Sequence, residues 1–394
     1  MSQLNRTWSQ VHLDRLDHNV RCIQNSLAPD TRIMGIVKAD AYGHGAVEVA
    51  RRLVTLGVNY FGVSNIDEAV ELRNAGITEP ILVISYTPSS QVARLAKYNI
   101  TQTVVSAEHA QALSDTASRL GVTLSVHIKV DTGMSRVGFS CYERSDVASA
   151  AESIARVCCL PSLDAEGIFT HFTSADEKND GGFTEGQFTL FMMVVDALIN
   201  QGITFRIRHC CNSAATLRYP HMHLDMVRVG IILYGVYTDA WMRELGFVLQ
   251  PVTELKTTIS MIKDLPSGIT VSYNRTYAAD EPTRVATVPI GYADGFSRRL
   301  SNRGQVLVCG RRVPVIGRVC MDQCMLDVTD VPGAAEGCVV TLLGVDGNEE
   351  ITADELCAAV GTINHDLLCM LSRRVPRRYF DNGKFVKEVN YLLD

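Results

Sequence analysis

The stretch around Lys38 contains residue types that could attack a carbonyl compound. It reads V-K-A-D-A-Y-G-H-G over residues 37–45 and follows a short apolar run. A lysine that ends a buried strand loses hydration, which lowers its pKa and leaves an amine able to react with an aldehyde. Gly43 and Gly45 predict a turn into the next helix, whose free backbone amides would favour a phosphate. An isolated lysine at a strand end usually has no such role, and only the whole string predicts this chemistry.

Three further strings carry polar residues that could share a site with that lysine. H-I-K-V-D-T-G-M-S-R-V-G at 127–138 contains Arg136, whose planar guanidinium can bind a carboxylate or a phenolate oxygen. Arg228 lies in M-V-R-V-G-I at 226–231, and Tyr273 lies in V-S-Y-N-R-T-Y at 271–277. A tyrosine acts as a base only where neighbouring cations or donors lower its pKa. Taken alone, each of these residues also fits an ordinary structural role.

The elements that must position these residues alternate regularly over the first two-thirds of the chain. Short runs rich in strand-forming residues are separated by amphipathic helical patterns, and eight such runs predict a (β/α)₈ barrel, an α/β fold, rather than an open doubly wound sheet. In a barrel, chemistry gathers at the carboxyl ends of the strands, where Lys38, Lys129 and His171 are expected. The predicted strands cover residues 33–38, 60–63, 81–84, 103–106, 124–130, 164–170, 205–209 and 226–229.

A second pattern begins near residue 240. Its segments are short, rich in strand formers and punctuated by glycine, which predicts a mostly β domain. We therefore expect the barrel over residues 10–240 and a β-rich C-terminal domain over residues 241–394, with residues 1–9 able to pack against the latter. A length of 394 residues is in keeping with two domains.

Composition excludes several classes of partner. The formal net charge of -6 argues against nucleic acid or an anionic membrane, and residues 1–20 lack the apolar region of a signal peptide. No apolar run is long enough to span a bilayer, so we expect a cytoplasmic enzyme. The 12 cysteines lack paired C-x-x-C spacing, so no metal site is expected. We expect the adjacent pairs at 158–159 and 210–211 to be buried thiols.

Taken together, the strings resemble the alanine racemase family of pyridoxal-phosphate enzymes, and the resemblance covers nearly the whole chain. It implies that Lys38 binds the aldehyde of pyridoxal 5'-phosphate and that Arg228 faces the pyridine nitrogen, with His209 behind it. Arg136 would bind the substrate carboxylate, and Lys129, often carbamylated in relatives, would position that arginine. The other residues that the resemblance implies at the cofactor are Tyr42, His171, Asn212, Ser213, Gly230, Ile231 and His365.

The resemblance also implies how the reaction is divided between groups. Racemisation needs proton exchange on both faces of the α-carbon, and two bases are the simplest arrangement: Lys38 for the D-enantiomer and Tyr273 for the L-enantiomer. In this family the second domain meets the barrel of the other subunit, so a homodimer with shared sites is expected. The amide of Met321 would then bind the substrate carboxylate across the interface, Tyr292 would line the access route and Asp322 would lie behind them.

One position departs from the family pattern. Where relatives usually read T-I-N-Y, this chain reads T-I-N-H at 362–365. His365 is shorter than tyrosine and changes charge near neutral pH. Alanine is the expected substrate, and a serine or serine/alanine racemase is the alternative, since a smaller side chain leaves room for a hydroxymethyl group. A non-enzymatic pyridoxal-phosphate carrier would lack the second domain, and a barrel decarboxylase would carry a carboxylate where Arg228 stands.

Overall fold

The computed structural model describes residues 6–393. The chain enters the fold as strand β1 (Thr7–His12), and helix α1 (Leu13–Gln24) follows without a loop. Leu16, Val20 and Ile23 form one fully buried stripe on α1, as their helical spacing predicts. Because β1 joins the sheet of the second unit and α1 packs on the first, this short segment links the two units.

Eight parallel strands form the first unit. Short buried runs suit strands that are covered on both faces, inside by the barrel core and outside by helices. Hydrogen bonding connects the strands in the order β10-β2-β3-β4-β5-β6-β8-β9, and the short β7 pairs with β6 outside this path. Their bounds are β2 (Arg32–Ile36), β3 (Tyr60–Val63), β4 (Ile81–Val83), β5 (Thr101–Val104), β6 (Leu124–Asp131), β7 (Phe139–Ser140), β8 (Leu163–Phe169), β9 (Ile207–His209) and β10 (Met226–Val229).

Two backbone hydrogen bonds complete the barrel between β9 and β10. The amide of Asp225 donates to the carbonyl of Arg208 at 3.1 Å, and the amide of Arg228 donates to the carbonyl of Cys211 at 3.0 Å. The predicted (β/α)₈ barrel is therefore confirmed. Each predicted strand overlaps an observed one, with ends displaced by up to two residues.

Helices separate the barrel strands, and several begin and end as local sequence dictates. The side chain of Asn65 caps α4 by accepting from the amides of Asp67 and Glu68, and Gly121 ends α6 in the left-handed conformation. The bounds are α2 (Lys38–Gly43), α3 (Ala46–Thr55), α4 (Ile66–Asn74), α5 (Val92–Lys97), α6 (Ala107–Leu120), α7 (Val147–Cys158), α8 (Phe183–Ile199) and α9 (Ser213–Arg218).

The second unit is mostly β, as predicted, with its own apolar core. Its large sheet runs β12-β15-β18-β17-β16-β19-β11-β1-β21-β22, β20 pairs with β19, and β13 pairs with β14 separately. Two short helices, α10 (Ala353–Val360) and α11 (Asn364–Cys369), precede the last two strands. The strands are β11 (Thr253–Thr258), β12 (Met261–Leu265), β13 (Thr270–Val271), β14 (Tyr277–Ala278), β15 (Thr283–Val288), β16 (Gln305–Val308), β17 (Arg311–Ile316), β18 (Cys324–Asp327), β19 (Val339–Asp346), β20 (Glu349–Ile351), β21 (Arg377–Asp381) and β22 (Lys384–Val389).

The cysteine expectation is only partly confirmed. Cys210 and Cys211 are buried, but Cys159 is exposed, because it lies at the end of α7 where the helix meets solvent. Across the described part of the chain, we find no helix of sufficient length and apolarity to cross a membrane.

Candidate active site

Lys38 lies two residues beyond the end of β2, at the mouth of the barrel. The four residues after it, Ala39 to Tyr42, have φ between 52° and 55°, so α2 is a single turn of left-handed helix. Left-handed backbone costs an L-residue other than glycine roughly 1–2 kcal/mol, and four such residues in a row require support from the surrounding structure.

That support comes from helix α4 and from residues near the C-terminus. The carboxylate of Glu68 accepts from the amide of Ala39 at 2.7 Å, and the Asp40 carboxylate accepts from the Tyr391 hydroxyl at 2.7 Å. The buried Arg377 donates from Nε to the Gly43 carbonyl at 2.9 Å. The C-terminal residues therefore hold the turn that carries the lysine.

The interpretation of Gly43 and Gly45 as sources of free amides for a phosphate is wrong. The first amide of α3, at Ala46, is engaged by the Asp40 carboxylate at 2.9 Å, and the Gly45 amide donates to the Asp40 carbonyl. A Cβ on Gly45 would lie 1.9 Å from the Tyr379 hydroxyl. The glycine is needed because the C-terminal strand approaches the backbone closely, not because a ligand does.

A cavity of about 290 Å³ opens beside Lys38 at the carboxyl ends of the barrel strands. Half-buried Lys38 shares it with residues from five other barrel strands or the loops that follow them, and with α11 of the second unit. The predicted residues that line it are Lys38, Tyr42, Lys129, Arg136, His171, Asn212, Ser213, Arg228, Gly230 and His365.

Positive charge dominates this cavity. Burial, reinforced by the Arg136 guanidinium, lowers the pKa of Lys38. Burial and the nearby Arg228 lower the pKa of Lys129 far below its usual value, and its ammonium nitrogen has no hydrogen-bond partner among the described residues. Lys129 lies over the Phe169 ring, 5.0 Å from the centroid. Such a site favours an anionic ligand and an uncharged Lys38 amine.

Arg228 is held rigidly within the cavity wall. Its guanidinium contacts His209 Nδ1 at 3.0 Å and His171 Nδ1 at 3.1 Å, and it donates to the carbonyls of Thr170 and Cys210, each at 3.0 Å. Burial lowers the pKa of Arg228 to about 10, so the side chain stays charged at neutral pH. Burial and Arg228 together lower the pKa of His171, which is therefore neutral.

Ser213, Gly230 and Tyr42 converge at one end of the cavity. The Gly230 amide donates to Ser213 Oγ at 2.9 Å, and a Cβ on Gly230 would fall 2.6 Å from the Tyr42 hydroxyl. Asn212 caps α9 by accepting from the Ala215 amide. Ile231 follows Gly230 in a short 3-10 helix and does not line the cavity itself.

Four predicted residues of the second unit lie apart from this cavity in the single chain. None of Tyr273, Tyr292, Met321 and Asp322 lines it, and the side chains of the first three are 67%, 42% and 52% exposed. Asp322 instead pairs with Arg374 at 2.7 Å. The structure thus gathers the barrel residues and leaves the second group facing solvent.

His365 reaches the cavity from α11, with its ring centroid 6.0 Å from that of Tyr42. Burial and the Lys38 charge lower its pKa, so the imidazole is neutral at neutral pH. Asp176 and Thr238 also line the cavity, and the sequence does not indicate them because they lie in loops without a distinctive pattern.

Asp131 is a further missed residue, and its D-T-G string contained a signal. Its carboxylate accepts from the amides of Gly133 and Ser135 and from the amide of Arg136, at 3.0–3.1 Å, and so shapes the loop that carries the arginine. No group of three potential metal-binding side chains occurs within residues 6–393.

Comparison with known proteins decides the family. The family model "Alanine racemase, N-terminal domain" matches residues 11–238, and "Alanine racemase, C-terminal domain" matches residues 252–379. The chain belongs to the alanine racemase family. It is 46% identical to the alanine racemase of Desulfovibrio desulfuricans over 374 residues, which cover 95% of this chain and 98% of that protein.

Solved structures of alanine racemases have the same fold. The enzyme of Clostridium difficile 630 superposes with a TM-score of 0.93 at 40% identity, covering 99% of each chain. The Bacillus anthracis alanine racemase, solved with bound L-Ala-P, gives a TM-score of 0.92 at 37% identity, covering 100% of this chain and 99% of that one. Both units of the fold are therefore those of an alanine racemase.

Proposed function

We propose that this protein interconverts L- and D-alanine with pyridoxal 5'-phosphate bound in the barrel cavity. The observation that carries the proposal is Lys38, an amine with a lowered pKa among Arg136, Lys129 and Arg228 in a cavity of about 290 Å³. The barrel with its cofactor cavity corresponds to residues 10–240 and the β-rich domain to residues 241–394. The match of the C-terminal family model argues against a single-domain cofactor carrier.

The cavity fits the cofactor at both of its ends. Lys38 would hold the aldehyde, and Ser213, Tyr42 and the amides of Gly230 and Ile231 would hold the phosphate, at a place where a Cβ on Gly230 would collide with the Tyr42 hydroxyl. When bound, pyridoxal phosphate supplies an electron-withdrawing ring that stabilises negative charge on the substrate α-carbon. His171, Asn212 and His365 complete the wall around it.

Arg228 would face the pyridine nitrogen and keep its own proton. A guanidinium has donors and no acceptor, and a pKa of about 10 keeps it charged at neutral pH. It can therefore donate a hydrogen bond to the ring without protonating it fully. A weaker electron sink favours rapid return of the proton, which is racemisation rather than transfer of the amino group.

Two bases would exchange the α-proton, with Lys38 on one face and Tyr273 of the partner subunit on the other. The exposure of Tyr273 supports this arrangement. Tyr273 faces solvent in its own chain, so it can act as a base only at the cavity of a second chain. Met321 and Tyr292, exposed on the same unit, would contribute the substrate amide and the access route. The active form is therefore a homodimer with shared sites.

Mixing two inactive variants tests this arrangement. A dimer of one Lys38→Ala chain and one Tyr273→Phe chain contains one intact site, because the second chain keeps Lys38 and the first keeps Tyr273. After refolding an equal mixture, about a quarter of the wild-type rate should return. Absence of recovery, with hybrid dimers shown by mass spectrometry, would place both bases on one chain.

Lys129 would be carbamylated. An isolated buried ammonium is costly, and reaction of its neutral amine with carbon dioxide gives a carbamate anion and a proton. That anion would pair with Arg136 and hold it toward the substrate. Growth of a carbamate carbon signal in ¹³C NMR under labelled carbon dioxide would support the modification, and a Lys129→Ala variant should lack it.

Serine is the second candidate substrate, because His365, Thr238 and Asp176 all line the cavity. The methyl side chain of alanine needs no polar partner, so a wall with these polar residues would also suit a hydroxymethyl side chain. We would supply L-alanine and L-serine separately and follow the D-forms by chiral chromatography. Alanine preference supports the first proposal. Comparable D-serine formation, lost by about tenfold or more in a His365→Tyr variant, supports the second.

A further inference from the structure

A line of polar side chains runs from Arg228 through the interior of the barrel, away from the cavity. His209 Nε2 lies 2.9 Å from His127 Nδ1, and His127 Nε2 lies 3.2 Å from the Glu166 carboxylate. The Tyr60 hydroxyl donates to the same carboxylate oxygen at 3.0 Å. Both histidine side chains are fully buried, and none of His127, Glu166 and Tyr60 lines the cavity.

The groups at the two ends fix the direction of every hydrogen bond between them. Arg228 can only donate, so His209 Nδ1 must accept and His209 Nε2 must carry the proton. That N–H donates to His127 Nδ1, which leaves His127 Nε2 to donate to Glu166. Glu166, whose carboxylate only accepts, ends the line. The Tyr60 hydroxyl lies 3.2 Å from His127 Nε2 and gives its own proton to Glu166, so toward His127 its oxygen can only accept as well.

Packing prevents the histidine rings from turning to other partners. The Phe169 ring stacks on His209 at 4.7 Å with an interplanar angle of 6°. Gly167 makes room for His127, since a Cβ there would lie 2.5 Å from the imidazole. The packing of strands β6, β8, β9 and β10 therefore holds this line of side chains in place.

The charge states of Glu166, His127 and His209 agree with this direction of hydrogen bonding. The hydrogen bond from His127 holds the pKa of Glu166 at about 2, so the carboxylate is ionised at neutral pH. Burial lowers the pKa values of His127 and His209, so both imidazoles are neutral. Glu166 also reaches the barrel surface, where Arg206 contacts it at 3.2 Å.

We propose that Glu166 and His127 are positioning residues for Arg228: as terminal acceptor and relay, they keep His209 protonated on Nε2 and its Nδ1 free to accept. Without the acceptor at the far end, His209 can carry its proton on Nδ1, where it opposes an N–H of Arg228 and displaces the guanidinium. The consequence for catalysis rests on the proposed role of Arg228, but the tautomer assignment does not.

The test compares the double variant Tyr60→Phe/Glu166→Met, which removes both oxygens 3.2 Å from His127 Nε2, with Glu166→Gln, which keeps an acceptor oxygen. The matched control is Asp164→Asn, which loses the same negative charge two residues earlier on β8 and contacts Arg206 but not His127. ¹⁵N NMR of the holoenzyme labelled at histidine distinguishes the two neutral tautomers, with a His209→Gln spectrum for assignment. The visible absorption of the bound cofactor and the racemisation kinetics are measured in parallel.

We expect His209 to be the Nε2–H tautomer in wild type, Asp164→Asn and Glu166→Gln. In the double variant Tyr60→Phe/Glu166→Met the single tautomer should be lost, the absorption maximum should shift, and kcat should fall about tenfold with a smaller change in KM. A wild-type His209 protonated on Nδ1 overturns the inference even if the double variant fails to fold. So does an unchanged tautomer in a folded double variant. Because the spectrum needs no turnover, a protein that racemises nothing would refute the proposed function separately.

Discussion

The barrel cavity and the exposed face of the second unit differ in how completely one chain builds them. In the cavity, Arg228 has four hydrogen-bonded neighbours and a fixed orientation, whereas Tyr273 on the second unit is 67% exposed. Catalytic groups need surroundings that lock their rotamers, since small displacements cost large factors in rate. The difference supports the proposal that one chain completes one half of a site and presents the other half to a second copy.

The largest effect on the rate should follow a change in the barrel cavity. Lys38→Ala removes the amine proposed to bind the cofactor and to exchange one proton, so racemisation should fall by about 10³-fold or more in both directions. Chiral chromatography from either enantiomer measures the loss. The exposed Lys97, whose ammonium lies over the Tyr98 ring, offers a control: Lys97→Ala should retain full activity. Substantial turnover by Lys38→Ala would contradict the assignment.

A change at the exposed face of the second unit should have a smaller effect on the rate and no effect on stability. Tyr273→Phe removes one proton-exchanging hydroxyl from an exposed ring, so the rate should fall about 100-fold without a change in melting temperature. Tyr86→Phe, on a ring 54% exposed on the barrel, should change neither quantity. Equal rates for the two variants would remove Tyr273 from the site.

The contacts of Glu254, on β11, give a prediction for how the stability of the fold depends on pH. Burial would raise the pKa of Glu254, but hydrogen bonds from His12 and Lys256 outweigh it and hold the pKa at about 2. A depressed carboxyl pKa stabilises the fold above the unfolded pKa, near 4.5, and this stabilisation is lost as pH falls toward 2. Glu254→Gln should therefore cost about 3 kcal/mol at pH 7, and progressively less at acid pH.

Urea unfolding at several pH values measures this difference. Glu152, exposed on α7 and paired with Arg156 one turn away, is the control, since Glu152→Gln should cost less than about 0.5 kcal/mol. A Glu254→Gln penalty that does not shrink as the solution is acidified would show that its cause is packing rather than charge.

The smallest effect concerns the backbone beneath Lys38. Ala39 has φ of 52° and an exposed side chain, so Ala39→Gly should relieve strain and raise the free energy of unfolding by about 1 kcal/mol. Ala112→Gly, in the middle of the right-handed helix α6, should lower it by about the same amount. Thermal unfolding of both proteins checks the signs, and two losses would mean that the left-handed turn is not strained.

The sequence predicted the features of the fold and the site that depend on local patterns of residues. Apolar runs placed the eight barrel strands within two residues, because a strand buried on both faces needs a continuous apolar stretch. The strings around Lys38, Arg136 and Arg228 predicted residues that meet in one cavity, since parallel strands bring their carboxyl ends together.

What the sequence could not predict depends on contacts between distant residues. The left-handed turn after Lys38 exists because Arg377 and Tyr391, more than 330 residues away, hold it, and no local pattern encodes that support. The line from Arg228 to Glu166 joins four strands for the same reason. The roles of Tyr273 and Met321 remain predictions, because one chain leaves them exposed.

The dependence of the Lys38 turn on Arg377, Tyr379 and Tyr391 has a consequence for biosynthesis. The ribosome releases residue 38 more than 330 residues before these three residues. Until they arrive, four residues would have to hold a left-handed conformation without support, at roughly 1–2 kcal/mol each. Lys38 thus reaches its final geometry only after residue 391 has been synthesised, so a nascent chain that lacks these residues cannot present a finished site.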